Sequence, residues 1–195
     1  MTVFPVGIGP AHALTRQASA QAKKSDYVHM IVLVHGWLGD DGELGYFEER
    51  LQKEIEDSHP EFVVYSAKAN VGKTSDGIAA GGQRLADEIM DQLKSYHEKF
   101  DHDHFSLSFV GNSLGGLYAR YALSKLDWSL AHPLIFCTTA TPHLGVSNHT
   151  YLPIPRWAEW TVAQVIDRIK PKGEKIGSTG QDLFRYTEVL EAMAK

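Results

Sequence analysis

The stretch His104-Phe105-Ser106-Leu107-Ser108-Phe109-Val110-Gly111-Asn112-Ser113-Leu114-Gly115-Gly116-Leu117-Tyr118-Ala119-Arg120-Tyr121-Ala122 decides the fold. His104 to Val110 reads as a strand and Leu114 to Leu126 as a helix, with the pattern Gly, any residue, Ser, any residue, Gly between them. In that setting a sharp turn strains the serine, lifts its Oγ above a sheet and aims a helix N-terminus at a developing oxyanion. Gly111 and Gly115 are needed because side chains there would collide with the neighbouring strand and helix. Ser113 is therefore a candidate nucleophile. The competing reading of Ser113 is a turn serine with N-cap character.

Outward from this stretch the same alternation repeats. Val28 to Val34 is β-branched and almost wholly apolar, as a strand covered on both faces must be. Leu44, Phe47, Leu51 and Ile55 keep helical spacing, Phe62 to Ser66 is a second strand, and a Gly-rich loop follows. Leu85, Ile89, Leu93, Tyr96 and Phe100 give a second helix, and Leu134 to Thr139 a fourth strand whose Cys137 is expected to be buried. The fold class is thus α/β, a mainly parallel sheet with helices on both faces. Residues 1 to 26 keep neither period and read as a flexible lead, and 27 to 195 as the folded domain. Past Thr141, Trp157 to Ile169 forms one more helix, either a lid over the site or an ordinary core helix.

Ligands of open parallel sheets sit beyond the carboxyl ends of the strands. His35-Gly36-Trp37 follows the first strand, where a His-Gly turn lets the next amide point into the site. Backbone N–H groups of Trp37 and Leu114 would then form an oxyanion hole. A plain turn with a structural histidine is the alternative. Ala67-Lys68-Ala69-Asn70-Val71-Gly72-Lys73-Thr74 nearly spells a phosphate-binding loop, but Ala67 replaces its first glycine. Asp101-His102-Asp103-His104 reads as a solvated turn rather than a metal site, since adjacent residues seldom aim at one ion.

Composition narrows the function. With 195 residues, 43% hydrophobic and 22% charged, the chain suits one soluble domain. Nineteen Lys+Arg against 24 Asp+Glu, a net charge of -5, argue against nucleic acid as a partner. One cysteine excludes an internal disulfide and a multi-thiolate zinc site, and fits a reducing compartment. The expected location is intracellular, cytoplasmic or peripheral to membranes. The basic, acid-poor residues 1 to 25 also share the bias of an organelle transit peptide.

The chain resembles the serine esterases of the DUF676 type, lipase-like proteins of the α/β-hydrolase superfamily. The resemblance rests on Val32-Leu33-Val34-His35-Gly36-Trp37-Leu38-Gly39, Gly82-Gln83-Arg84-Leu85-Ala86, the long match around Ser113, Thr139-Ala140-Thr141-Pro142-His143-Leu144-Gly145, and Ser178-Thr179-Gly180-Gln181-Asp182-Leu183-Phe184. It implies an α/β-hydrolase fold and hydrolysis of carboxylic esters, lipids foremost, through an acyl-enzyme on Ser113. No cofactor or metal is implied, and a lipid substrate brings peripheral membrane contact. The family's triad order is Ser, then Asp or Glu, then His. No histidine follows Asp167 or Asp182, and Asp127 lies at the far end of the helix after Ser113. On this resemblance the domain is cut short at its C-terminus. His143 is the alternative base, although its Thr-Pro-His-Leu-Gly turn reads as structural. Two function classes stay open: a lipase-like serine hydrolase, and a non-catalytic hydrolase-like lipid-binding protein.

Overall fold

Four strands, β1 (Val28–Val34), β2 (Phe62–Ser66), β3 (Phe105–Asn112) and β4 (Ala131–Thr139), pair in parallel in the order β2-β1-β3-β4. This is a computed structural model, which describes residues 28–56, 62–100, 105–146, 155–168, 178–184, 189 and 193. The flexible lead expected over residues 1 to 26 lies outside the described residues, as do Asp101 to His104. The helices are α1 (Gly45–Glu56), α2 (Ile78–Phe100), α3 (Leu114–Leu123), α4 (Arg156–Arg168) and α5 (Thr179–Phe184).

Strand order follows from crossover handedness. The chain steps from β1 to β2 in one direction, then returns over β1 to β3 and on to β4 in the other. Right-handed crossovers in opposite directions put their helices on opposite faces. The side chains of β2 agree: Tyr65 donates to Glu88 of α2 at 2.8 Å, whereas its neighbour Ser66 donates to Glu48 of α1 at 2.8 Å. Successive strand residues point to opposite faces, so α1 and α2 flank the sheet. On the α2 and α3 face, Val28, Met30, Val32 and Val34 alternate along β1 and join Leu107, Phe109, Leu85, Ile89, Leu117 and Tyr118 in the buried core. Truncating one of these leucines to alanine costs about 2 to 5 kcal/mol.

Several boundaries differ from the sequence reading. Helix α2 begins at Ile78, seven residues before Leu85, and so takes in Gly81 and Gly82. A Cβ on Gly81 would lie 2.2 Å from the Tyr118 ring, and one on Gly82 2.6 Å from Tyr121 Cβ. The glycines let α2 approach α3 closely, which repays their low helix propensity. Strand β4 reaches back to Ala131 through Pro133, which an edge strand tolerates.

Cys137 is exposed, not buried. Leu134, Ile135 and Phe136 are exposed with it, because β4 is an edge strand whose apolar run has no cover among the described residues. In helix α4, Trp160 and Val165 are exposed, while Ala163 and Asp167, four apart, are buried. That narrow face meets α5, where a Cβ on Gly180 would lie 2.3 Å from the Ala163 carbonyl oxygen. Ile169 falls outside the described residues.

Candidate active site

The direction of crossover reverses between β1 and β3, so their carboxyl ends bound the crevice where an open α/β sheet takes its ligand. Pairing runs to Val34 opposite Gly111. His35-Gly36-Trp37 and Asn112-Ser113 thus leave the sheet side by side. A Cβ placed on Gly36 would lie 3.1 Å from Ser113 Cβ.

Ser113 has φ 50° and ψ −120°, immediately before the first residue of α3. This backbone region is disfavoured for any residue with a Cβ and costs about 1 to 3 kcal/mol. Ser113 stands at the N-cap position, yet its side chain makes no capping hydrogen bond. The N-cap serine reading therefore fails on geometry, since a capping serine uses a β-region backbone and spends its oxygen on an N–H. Tight packing holds the turn. A Cβ on Gly111 would fall 2.5 Å from Gly116 Cα, and one on Gly115 2.2 Å from the Val34 carbonyl oxygen. The Ser113 N–H donates to the Thr139 carbonyl at 2.8 Å, and Thr141 Oγ1 donates to the Ser113 carbonyl at 2.9 Å.

On the β1 side, Leu38 is also left-handed, φ 59°, and its N–H donates to Thr74 Oγ1 at 3.1 Å. Trp37 is half-buried between these anchored neighbours. Neither the Trp37 nor the Leu114 N–H takes part in a turn or cap hydrogen bond among the described residues. Both remain able to donate to a ligand oxygen. His35 is buried, with Nδ1 3.0 Å from the Gly36 carbonyl oxygen and Nε2 lacking a partner among the described residues.

Sequence reasoning missed Glu43. Its Oε1 accepts from the Gly36 N–H at 2.9 Å and from Asn112 Nδ2 at 2.7 Å. Thr139 Oγ1 in turn donates to Asn112 Oδ1 at 2.9 Å. The ends of β1, β3 and β4 are joined through one carboxylate and one carboxamide. No spacing rule marks an exposed glutamate seven residues after a glycine; only the tertiary fold brings it here.

Residues 24–192 match the family described as "Putative serine esterase (DUF676)". The chain belongs to this family. Among curated relatives, "Putative lipase ROG1" of Saccharomyces cerevisiae is 30% identical over 83% of the chain and 22% of its own length. "Putative lipase C4A8.10" of Schizosaccharomyces pombe is 28% identical over 80% of the chain and 19% of its own length. The chain thus spans about a fifth of the relatives it matches. Phospholipase PlaB from Legionella pneumophila, a solved structure, superposes with TM-score 0.55 at 11% identity, covering 85% of this chain and 33% of that one. That likeness supports the α/β-hydrolase fold.

The remaining polar residues of this DUF676 chain sort by geometry. His143 Nε2 lies 3.0 Å from Thr138 Oγ1, and its Nδ1 is buried without a partner among the described residues. Burial, and then the nearby Arg120 guanidinium, hold His143 below the ordinary histidine value. Among the described residues no histidine nitrogen is hydrogen-bonded to Ser113 Oγ. Asp127 caps its own turn by accepting from the Ser129 N–H at 2.9 Å. Asp182 Oδ2 accepts from the Ile78 N–H at 2.8 Å, and Thr179 Oγ1 accepts from the Gly77 N–H at 2.8 Å, so α5 caps the start of α2. Asp167 accepts from the Gly180 N–H, and burial pushes its carboxyl up. In the loop that resembles a phosphate site, the Lys68 and Ala69 amides donate to the Glu88 carboxylate at 2.9 and 3.0 Å. The chain's own side chain fills that cradle. His59 and His149 lie outside the described residues.

Proposed function

We propose that this protein is a serine hydrolase that cleaves carboxylic esters, with lipids as its substrate class. The observation that carries the reading is the left-handed, uncapped Ser113 at the crevice between β1 and β3. Ser113 Oγ attacks the ester carbonyl carbon while a base takes its proton. The tetrahedral oxyanion is met by the Trp37 and Leu114 N–H groups. The alcohol leaves with a proton, and water then hydrolyses the acyl-serine. His35, Gly36, Gly111 and Gly115 shape the turns that bring these atoms together. The names of the curated relatives support the lipid class. So do Leu38, Val71 and Leu144, exposed on the loops after β1, β2 and β4 at the carboxyl edge of the sheet, since apolar side chains on that edge suit contact with a membrane surface.

The competing reading, a hydrolase-like lipid-binding protein without turnover, draws on the His143 contact with Thr138. A fluorophosphonate probe followed by peptide mass spectrometry tests the nucleophile. An adduct on Ser113, lost in Ser113→Ala, is expected. Lipid-vesicle binding with no Ser113 adduct would favour the competing reading.

A further inference from the structure

We propose that Glu43 positions the oxyanion loop on the nucleophile elbow, and that it does so as a hydrogen-bond acceptor rather than as a charge. The inference rests on the hydrolase reading of Ser113 and adds a residue to it. One oxygen, Glu43 Oε1, holds the N–H of Gly36 and the side-chain amide of Asn112. Gly36 directly precedes Trp37, the first oxyanion donor, and Asn112 directly precedes Ser113. The distance between donor and nucleophile is thereby set through a single acceptor. Gly39 makes room for the second oxygen, since a Cβ there would lie 1.8 Å from Glu43 Oε2. The Thr139 hydroxyl fixes which end of the Asn112 amide faces Glu43.

A negative charge beside a developing oxyanion works against the reaction, so charge itself is a poor reason for the residue. Glu43 is exposed, and water screens that cost. Its acceptor geometry is what a glutamine side-chain oxygen reproduces.

The test compares second-order rates of fluorophosphonate labelling for the 195-residue protein, Glu43→Ala, Glu43→Gln, Asn112→Ala and the Glu43→Ala/Asn112→Ala double variant, with thermal midpoints measured alongside. Loss of a whole oxyanion donor costs about 10² to 10³ in rate, and a displaced donor keeps part of that. Glu43→Ala is therefore expected to label about tenfold more slowly, with Glu43→Gln within about threefold of the parent. The Asn112→Ala and Glu43→Ala effects should not add, because both remove the same bond. Midpoints that stay together while the rates separate mark positioning rather than folding. A parent protein that labels no faster than Ser113→Ala overturns the hydrolase reading and this inference with it. Ser113 labelling in the parent that is unchanged by Glu43→Ala overturns the clamp alone. Equal loss in Glu43→Gln and Glu43→Ala also overturns it, in favour of a charge role.

Discussion

Thr141 Oγ1 donates to the carbonyl of Ser113 at 2.9 Å, so the loop leaving β4 is tied to the strained residue of the β3–α3 turn. The Ser113 N–H donates to the carbonyl of Thr139, the last residue of β4, at 2.8 Å. The peptide groups on both sides of Ser113 are thus held by β4 and the loop that leaves it, and these bonds help to offset an unfavourable backbone. Thr141→Ala should lower stability by about 1 kcal/mol, the usual net worth of such a bond. Thr141→Ser should recover most of it. Urea denaturation of the three proteins checks this; equal midpoints for Thr141→Ala and the parent would refute the tie.

Strain at Ser113 makes a second, opposite expectation. Glycine accepts φ 50° with ψ −120° at little steric cost, whereas alanine keeps the offending Cβ. Relief of about 1 to 3 kcal/mol, less about 0.4 to 1 kcal/mol for the freer unfolded chain, leaves Ser113→Gly about 1 kcal/mol more stable than Ser113→Ala. Chemical denaturation of the two variants decides it. A Ser113→Gly protein no more stable than Ser113→Ala would show that the turn stores no strain.

Much of this arrangement is legible in the sequence. Strands β1 and β2 have the bounds that the sequence implies, and β1, buried along nearly its whole length, leaves an uninterrupted apolar signal. The elbow was legible because its glycines answer to backbone contacts of close neighbours in sequence or on the adjacent strand. Other features were hidden for a common reason. Gly81 reads as a loop residue until Tyr118 is placed against it. The exposure of Leu134 to Cys137 depends on what lies beside β4, which periodicity does not report. Glu43 and Asp182 act on backbone atoms 7 and 104 residues away, beyond any local pattern.

Asp182 supplies a third prediction. Its carboxylate meets the buried Ile78 N–H at the start of α2, a helix end that favours negative charge. Asp182→Ala leaves that donor unsatisfied and should cost about 1 to 3 kcal/mol. Asp182→Asn keeps an acceptor and should cost less. Loss of under about 0.5 kcal/mol in Asp182→Ala, by urea titration, would mean that α5 does not hold the α2 terminus.

Stability should also fall in mild acid. Burial lowers His29 from its ordinary 6.5, while its Nδ1 stays 2.7 Å from Ser106 Oγ. The unfolded chain therefore binds a proton more readily than the folded one. The contribution of His29 is complete above the unfolded value and is lost as pH drops below it toward the lower folded value. The thermal midpoint should be lower at pH 5 than at pH 7.5, and His29→Gln should narrow that gap. A gap unchanged by the substitution would assign the acid sensitivity elsewhere; His143 shifts in the same direction and is the next group to test.

The last expectation concerns turnover and follows from His143. A serine hydroxyl without a base is a poor nucleophile near neutral pH, and general-base help is worth about 10² to 10⁴ in rate. Burial, and then Arg120, lower His143 from its ordinary value and so favour the neutral form that a base needs, but its Nε2 contacts Thr138 rather than Ser113. Under the proposed oxyanion role the Trp37 and Leu114 amides would still favour a tetrahedral species, so a small Ser113-dependent rate should survive. Residues 1 to 195 alone are expected to hydrolyse short-chain esters only slightly faster than Ser113→Ala and to label slowly with a fluorophosphonate. His143→Ala should leave both rates near the parent. Robust ester turnover abolished equally by Ser113→Ala and His143→Ala would instead establish a Ser113 and His143 dyad, with the imidazole released from Thr138 when substrate binds.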